Sequence, residues 1–134
     1  MSKGHFTQWA AQFAVASEMC KREYQVALTL GNHPAVDLMV ISPSGQTFSV
    51  DVKGLSSRNG WIVRRREPHV GLFYVLSFVA RDKPNRFFVM TQQQVNDEID
   101  ALLTRLDRPT NFPVTGFLFK RAEAYENKWD ILPT

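Results

Sequence analysis

Apolar residues near the N-terminus recur at helical intervals. Phe6, Trp9, Phe13, Ala16 and Cys20 fall on one face of a helix predicted over residues 5–22. A short apolar run at 24–30 reads as a strand, interrupted by Gly31, Asn32, His33 and Pro34. Two more strands, 36–42 and 46–53, flank Pro43, Ser44 and Gly45, a three-residue hairpin loop with glycine at its left-handed position. Residues 61–65 suggest another strand. The run LFYVLSFVA at 72–80 is aromatic and branched, as expected of a central strand buried on both faces. A shorter strand at 86–90 follows the turn at 82–85. Thr91 and Gln94 then form a capping-box signature, continued by Val95, Ile99, Leu102, Leu103 and Leu106 as an amphipathic helix. The tail is less regular, with a strand at 117–119, a short helix at 122–127, and Trp129, Ile131 and Leu132 docking the C-terminus. No repeat or linker breaks the pattern, so the expectation is one α/β domain over residues 1–134.

The hairpin register carries the chemistry. If residues 43–45 form the loop, Ser42 pairs with Gln46 and Asp37 lies opposite Asp51. Side chains two apart in a strand share a face, so Lys53 points the same way as Asp51. Two carboxylates and an ammonium then meet on one patch of an apolar hairpin. Facing like charges cost roughly 0.2–1 kcal/mol when exposed. Burial makes that worse unless something positive lies between them. A divalent cation fits the need: Mg²⁺ takes one or two carboxylates, waters and phosphate oxygens. Lys53 beside it would orient or deprotonate water, or stabilise charge developing on phosphate. These parts suit phosphodiester hydrolysis.

Composition adds bounds. With 134 residues the chain can bury a real core, and 44% hydrophobic against 22% charged residues is a globular balance, not a disordered one. No apolar run reaches the roughly eighteen residues a membrane span needs. The N-terminus lacks a signal-peptide stretch, so a cytoplasmic protein is expected. Cys20 is the lone cysteine, which excludes an internal disulfide and a thiolate zinc cage; it reads as a small buried apolar residue. His5, His33 and His69 are too scattered for a metal pattern, and His33 reads as a loop residue near the mouth of the cleft.

The formal charge of +3 is mild, but its distribution is uneven. Arg64, Arg65 and Arg66 are consecutive, and Arg81, Lys83 and Arg86 cluster in one predicted loop. The segment SSRNGWIVRRR sets Arg58, Trp61, Arg64, Arg65 and Arg66 directly after Lys53. That mixture suits phosphate contact with base stacking. An edge strand bearing arginines for solubility accounts for it equally well.

The run PAVDLMV, a turn, then FSVDVKG resembles the core motif of the PD-(D/E)XK nuclease superfamily. That group includes restriction enzymes, Holliday-junction resolvases and some homing endonucleases. The resemblance runs over about two-thirds of the chain. It implies a restriction-endonuclease-like αβββαβ core with a central mixed sheet flanked by helices. It places the two acids of the motif on Asp37 and Asp51 and the lysine on Lys53. The carbonyl of the intervening residue, Val52, is then implied as a metal ligand. Many members carry a helix-1 glutamate about twenty-five residues before the first acid; here that position is Gln12, which offers only a neutral oxygen. Glu18, in the same helix on a different face, is the nearest acid, though it also reads as an ordinary helix carboxylate. Val36 stands where the motif has proline, with Pro34 two places earlier.

The expected function is therefore Mg²⁺- or Mn²⁺-dependent endonucleolytic cleavage of DNA. The alternative is a nuclease fold with weakened catalysis that binds nucleic acid or a protein partner. Cutting both strands of a duplex needs two sites, and a homodimer is the symmetric way to supply them.

Overall fold

The computed structural model describes residues 2–30, 36–109, 111–112 and 115–134, with only the backbone of Thr115. His33 and Pro34 lie outside the described residues. Helix α1 spans Lys3–Lys21 and is followed by strands β1 (Gln25–Leu28), β2 (Leu38–Ile41), β3 (Thr47–Leu55) and β4 (Gly60–Val63). Then come β5 (Leu72–Phe78), β6 (Arg86–Thr91), α2 (Gln92–Arg105), β7 (Thr115–Leu118) and α3 (Phe119–Ala122). Short 3-10 turns at Glu123–Tyr125 and Trp129–Ile131 end the chain. Five strands form a mixed sheet in the order β1-β2-β3-β5-β6, and β4 and β7 pair as a separate ribbon. The mixed sheet flanked by helices matches the expected fold class. The β3-to-β5 crossover, parallel in its pairing, is made by β4 and an irregular stretch rather than by a helix. Gly60, Pro68 and Gly71 with branched Ile62 and Val63 give that stretch no helical period.

The hairpin forms as its residues dictate. Ser42 N–H donates to Gln46 O at 2.7 Å, Gly45 takes φ +96°, and the β2–β3 register runs from Ile41↔Thr47 to Leu38↔Val50. Only glycine adopts that φ without strain. The Thr91–Gln94 capping box closes in both directions. Two cores fill the faces of the sheet. On one, α1 contributes Ala11, Val15 and Met19 against Leu38, Val40, Val50, Val52 and the C-terminal Trp129 and Leu132. On the other, α2 sets Val95, Ile99 and Leu103 against Tyr74, Leu76 and Phe88, with the β4–β7 ribbon and Phe119 completing the layer.

Helix α1 presents a different face from the one its aromatics suggest. Phe6 and Phe13 are 62% and 53% exposed, Trp9 is 37% exposed, and Cys20 is exposed rather than buried. The small residues Ala11, Val15 and Ala16 pack inward because the helix lies close to β3. A Cβ on Gly54 would sit 2.9 Å from both Ala11 Cβ and Thr7 O. Bulky rings do not fit at that distance.

Candidate functional site

Beyond Leu38↔Val50, β2 no longer covers the outer edge of β3, and side chains take the place of a strand there. Asp37 sits at the bend preceding β2, its N–H donating to Val50 O at 3.0 Å. Its Oδ2 accepts from Val52 N–H at 2.8 Å. Gln8 Nε2 donates to Val52 O at 2.7 Å, and Gln8 Oε1 accepts from Gly54 N–H at 3.1 Å. Gln12, one turn further along α1, donates from Nε2 to Asp37 Oδ1 at 3.1 Å. A carboxylate only accepts, so the nitrogen end of Gln12 is the end that faces it. Three backbone groups that would otherwise cost desolvation energy are satisfied in this way.

Asp51 lies one residue past the last hairpin pair, Leu38↔Val50, and beside Tyr74 in the β3–β5 register, close enough to Asp37 for its charge to act on that carboxyl. Its neighbours Val50 and Val52 belong to the α1 core, so Asp51 and Lys53 point to the α2 side. Asp51 is 6% exposed. Lys53 Nζ is 3.2 Å from Asp51 Oδ1, and Arg66 Nη1 is 3.1 Å from Oδ2. That leaves Oδ1 buried with the Lys53 ammonium as its charge partner. Burial pushes the Asp51 carboxyl above the ordinary carboxylate range, against the opposing pull of Lys53 and Arg66. Burial also raises Asp37, opposed by the Val52 N–H and reinforced by the charge of Asp51. Tyr74 is pushed up by burial, with a contribution from Asp51.

Arg66 reaches this carboxylate because α2 fixes the loop that carries it. Gln92 Nε2 donates to Glu67 O at 2.9 Å and, more weakly, to Arg66 O at 3.4 Å, while its Oε1 accepts from His69 N–H at 2.7 Å. Asn96 Nδ2 donates to Arg66 O at 2.9 Å, leaving its own buried Oδ1 without a partner. An unpaired buried amide oxygen costs about 1–3 kcal/mol, so this clamp is retained at some expense of stability.

The other site candidates scatter. Glu18 is not brought to the cluster: its carboxylate is held by Arg22 at 2.8 Å and Lys21 at 3.2 Å, and Arg22 lowers its pKa. Trp61 is corrected from a base-stacking residue to a core residue, 2% exposed, stacked on Phe119 with its N–H donating to Ser77 O. The three consecutive arginines diverge, with Arg64 exposed, Arg65 paired to Asp100 at 2.8 Å and Arg66 on Asp51. Arg58 is exposed, with its guanidinium 4.5 Å from the Phe119 ring centre. Arg86 leaves the predicted basic loop to pair with Glu126 at 2.7 Å. Sequence reasoning missed Gln8, Gln92 and Asn96. The available signal was the i,i+4 spacing of Gln8 with Gln12 and of Gln92 with Asn96, polar side chains repeating on helix faces that otherwise bury apolar groups.

The residues present suit a hard divalent cation. Among the described residues no three His, Cys, Asp or Glu side chains group to hold a metal, so the donors would be Asp37, Asp51 and the Val52 carbonyl with oxygens from outside the protein. The two carboxyls raised by burial, Asp37 and Asp51, are the features such an ion would relieve. Among solved structures, the chain is similar to a bacterial homing endonuclease, I-Ssp6803I, with a TM-score of 0.61 and 17% identity. The match covers 98% of this chain and 91% of that one. At that identity the likeness establishes the fold. No family model and no curated protein matches the sequence.

Proposed function

We propose that this chain is a metal-dependent DNA endonuclease of the PD-(D/E)XK type. The observation that supports the reading is a buried Asp51, ion-paired to Lys53 at the end of the β2–β3 hairpin and near enough to Asp37 for the two carboxylates to repel each other. In the reaction a water oxygen bonds to phosphorus and one P–O ester bond breaks, with a water proton ending on the departing oxygen. A Mg²⁺ or Mn²⁺ ion, when bound, supplies positive charge to the phosphate and acidifies a ligated water. Asp37, Asp51 and the Val52 carbonyl are its proposed holders. Lys53 orients the attacking water and stabilises charge growing on the phosphate. Gln12 and Gln8 fix the Asp37 carboxylate and the Val52 carbonyl on the edge of β3. A polar cleft of about 390 Å³, lined by Lys3, Thr7, Gly54, Ser56, Ser57 and Asn59, adjoins the end of that strand and suits the flanking backbone.

The test is cleavage of single-stranded, duplex and branched DNA with Mg²⁺ or Mn²⁺, alongside calorimetric Mn²⁺ binding. Asp37→Ala, Asp51→Ala and Lys53→Ala are each expected to abolish nicking while the circular dichroism spectrum stays native. A wild-type protein that neither cleaves nor binds Mn²⁺ would defeat the reading.

One observation favours a second reading, a nuclease fold that binds without cutting. Both Asp37 oxygens, the Val52 carbonyl and Asp51 Oδ2 already have donors within the chain. Each oxygen keeps a second lone pair, which is why the catalytic reading is preferred. Salt-sensitive DNA binding unchanged in Asp51→Ala, with no Mn²⁺ affinity, would select the binding module.

A further inference from the structure

We propose that Arg66 is the second cation of the phosphodiester site, held for that task by Gln92 and Asn96 as positioning residues; this rests on the nuclease reading above. Arg66 lies in the segment that the sequence reads as backbone-binding or merely solubilising, yet its guanidinium is 3.1 Å from the most buried carboxylate of the site. Its carbonyl and that of Glu67 are gripped by two side chains of α2 that are 6% and 4% exposed. Gln92 and Asn96 define where residues 66–69 run, and so where the Arg66 side chain starts.

Charge balance states what Arg66 contributes. Asp37 and Asp51 carry two negative charges, and Lys53 and Arg66 carry two positive ones, so the four side chains are neutral together. A divalent ion then leaves the centre at plus two. A phosphodiester carries minus one and the attacking hydroxide another, and the attack gathers both charges on the oxygens of one five-coordinate phosphorus. With Arg66 the site balances the charge gathered there; without it the site is one positive charge short of the transition state while still balancing the diester alone. A planar guanidinium can turn from the Asp51 oxygen to two phosphate oxygens without losing its own hydrogen bonding.

The experiment compares wild type, Arg66→Met, Arg66→Lys and Asn96→Asp in three measurements. These are single-turnover cleavage at saturating Mg²⁺, duplex affinity in Ca²⁺ by fluorescence anisotropy, and Mn²⁺ affinity by calorimetry without DNA. Arg66→Met is expected to slow cleavage on the order of a hundredfold with duplex affinity changed less than about threefold. It should also tighten Mn²⁺ binding, because a competing cation leaves Asp51. Arg66→Lys should recover part of the rate. Asn96→Asp, which replaces the amide that grips Arg66 O, should lower the rate constant without weakening duplex binding, a split that simple loosening of the fold would not give. If wild type cleaves and Arg66→Met matches its rate, or loses duplex affinity in proportion to its rate, the proposal is overturned while the nuclease reading stands. If wild type neither cleaves nor binds Mn²⁺, the underlying reading fails and takes the proposal with it.

Discussion

Asp51 with Arg66 and Glu126 with Arg86 are both carboxylate–guanidinium pairs, yet burial leaves them in opposite states. Arg86 meets Glu126 through two hydrogen bonds of 2.7 and 2.8 Å at a partly exposed position, and Arg86 draws the Glu126 pKa below the ordinary range. Glu98 is similar, since Tyr125 and Arg121 hold it low despite the opposing effect of burial, and the Tyr125 hydroxyl is pushed up to about 12. Asp51 has two cations beside it and is still raised, because desolvation outweighs them. The Glu126 pair helps hold the fold together; the Asp51 cluster is held by it. Carboxylates kept ionisable but under-compensated are what a site needs if an incoming positive ion is to bind with gain.

The neutral isosteres separate the two clusters most sharply. Asp51→Asn is expected to reduce metal-dependent cleavage by about 10³-fold, since it removes a proposed ligand charge. It should nevertheless leave thermal stability unchanged or improved, because burial penalises the charged carboxylate at this position and an amide carries no charge to desolvate. Glu126→Gln should do the reverse, sparing cleavage while lowering stability by roughly 0.5–1 kcal/mol through loss of the two-bonded pair. Denaturant titration with a cleavage assay on both variants checks this. A stability loss in Asp51→Asn equal to that in Glu126→Gln would erase the distinction.

A backbone substitution comes next in size. Gly54→Ala would drive a methyl to 2.9 Å from Ala11 Cβ and from the Thr7 carbonyl, so α1 must lift from β3. Such overpacking costs about 1–3 kcal/mol. The same shift withdraws Gln8 from Val52 and Gln12 from Asp37, so Mn²⁺ affinity should fall with stability. If calorimetry shows native Mn²⁺ affinity in a destabilised Gly54→Ala, the glutamines do not set the site.

How much of this the sequence made legible follows from range. The β2–β3 hairpin was legible because a three-residue loop fixes a register, and the pairing follows that register from Ile41↔Thr47 to Leu38↔Val50, after which the Asp37 N–H turns to Val50 O. The buried run at 72–78 and the capping box at Thr91 are likewise local signals. Arg66 could not be placed, because its position depends on hydrogen bonds from Gln92 and Asn96, 26 and 30 residues away. Trp61 and the α1 aromatics were misleading for another reason. Ring size marks apolar surface, but which face has room depends on how closely two elements approach, and Gly54 sets that for α1. The crossover lacking a helix was legible in Gly60, Pro68 and Gly71, but the family pattern pointed elsewhere.

The smallest expected effect is the pH profile of metal-free stability, where the two sets of carboxylates pull in opposite directions. Asp37 and Asp51 are raised in the folded state, so the cost of keeping them ionised is fully present above their raised values. That cost is relieved as pH falls through those values toward the ordinary aspartate range. Glu18, Glu98 and Glu126 are lowered, so their contribution is intact above the ordinary glutamate range and is lost as pH falls through their depressed values. Metal-free protein should therefore gain a little stability on mild acidification before losing it at lower pH. Saturating Mg²⁺ should remove the gain, since an ion that needs both aspartates ionised stabilises the fold only while they stay so. Thermal unfolding across this range, with and without Mg²⁺, distinguishes the cases. A metal-free stability that only falls on acidification, or a rise that Mg²⁺ leaves in place, would mean the aspartates are compensated within the chain much as Glu126 is.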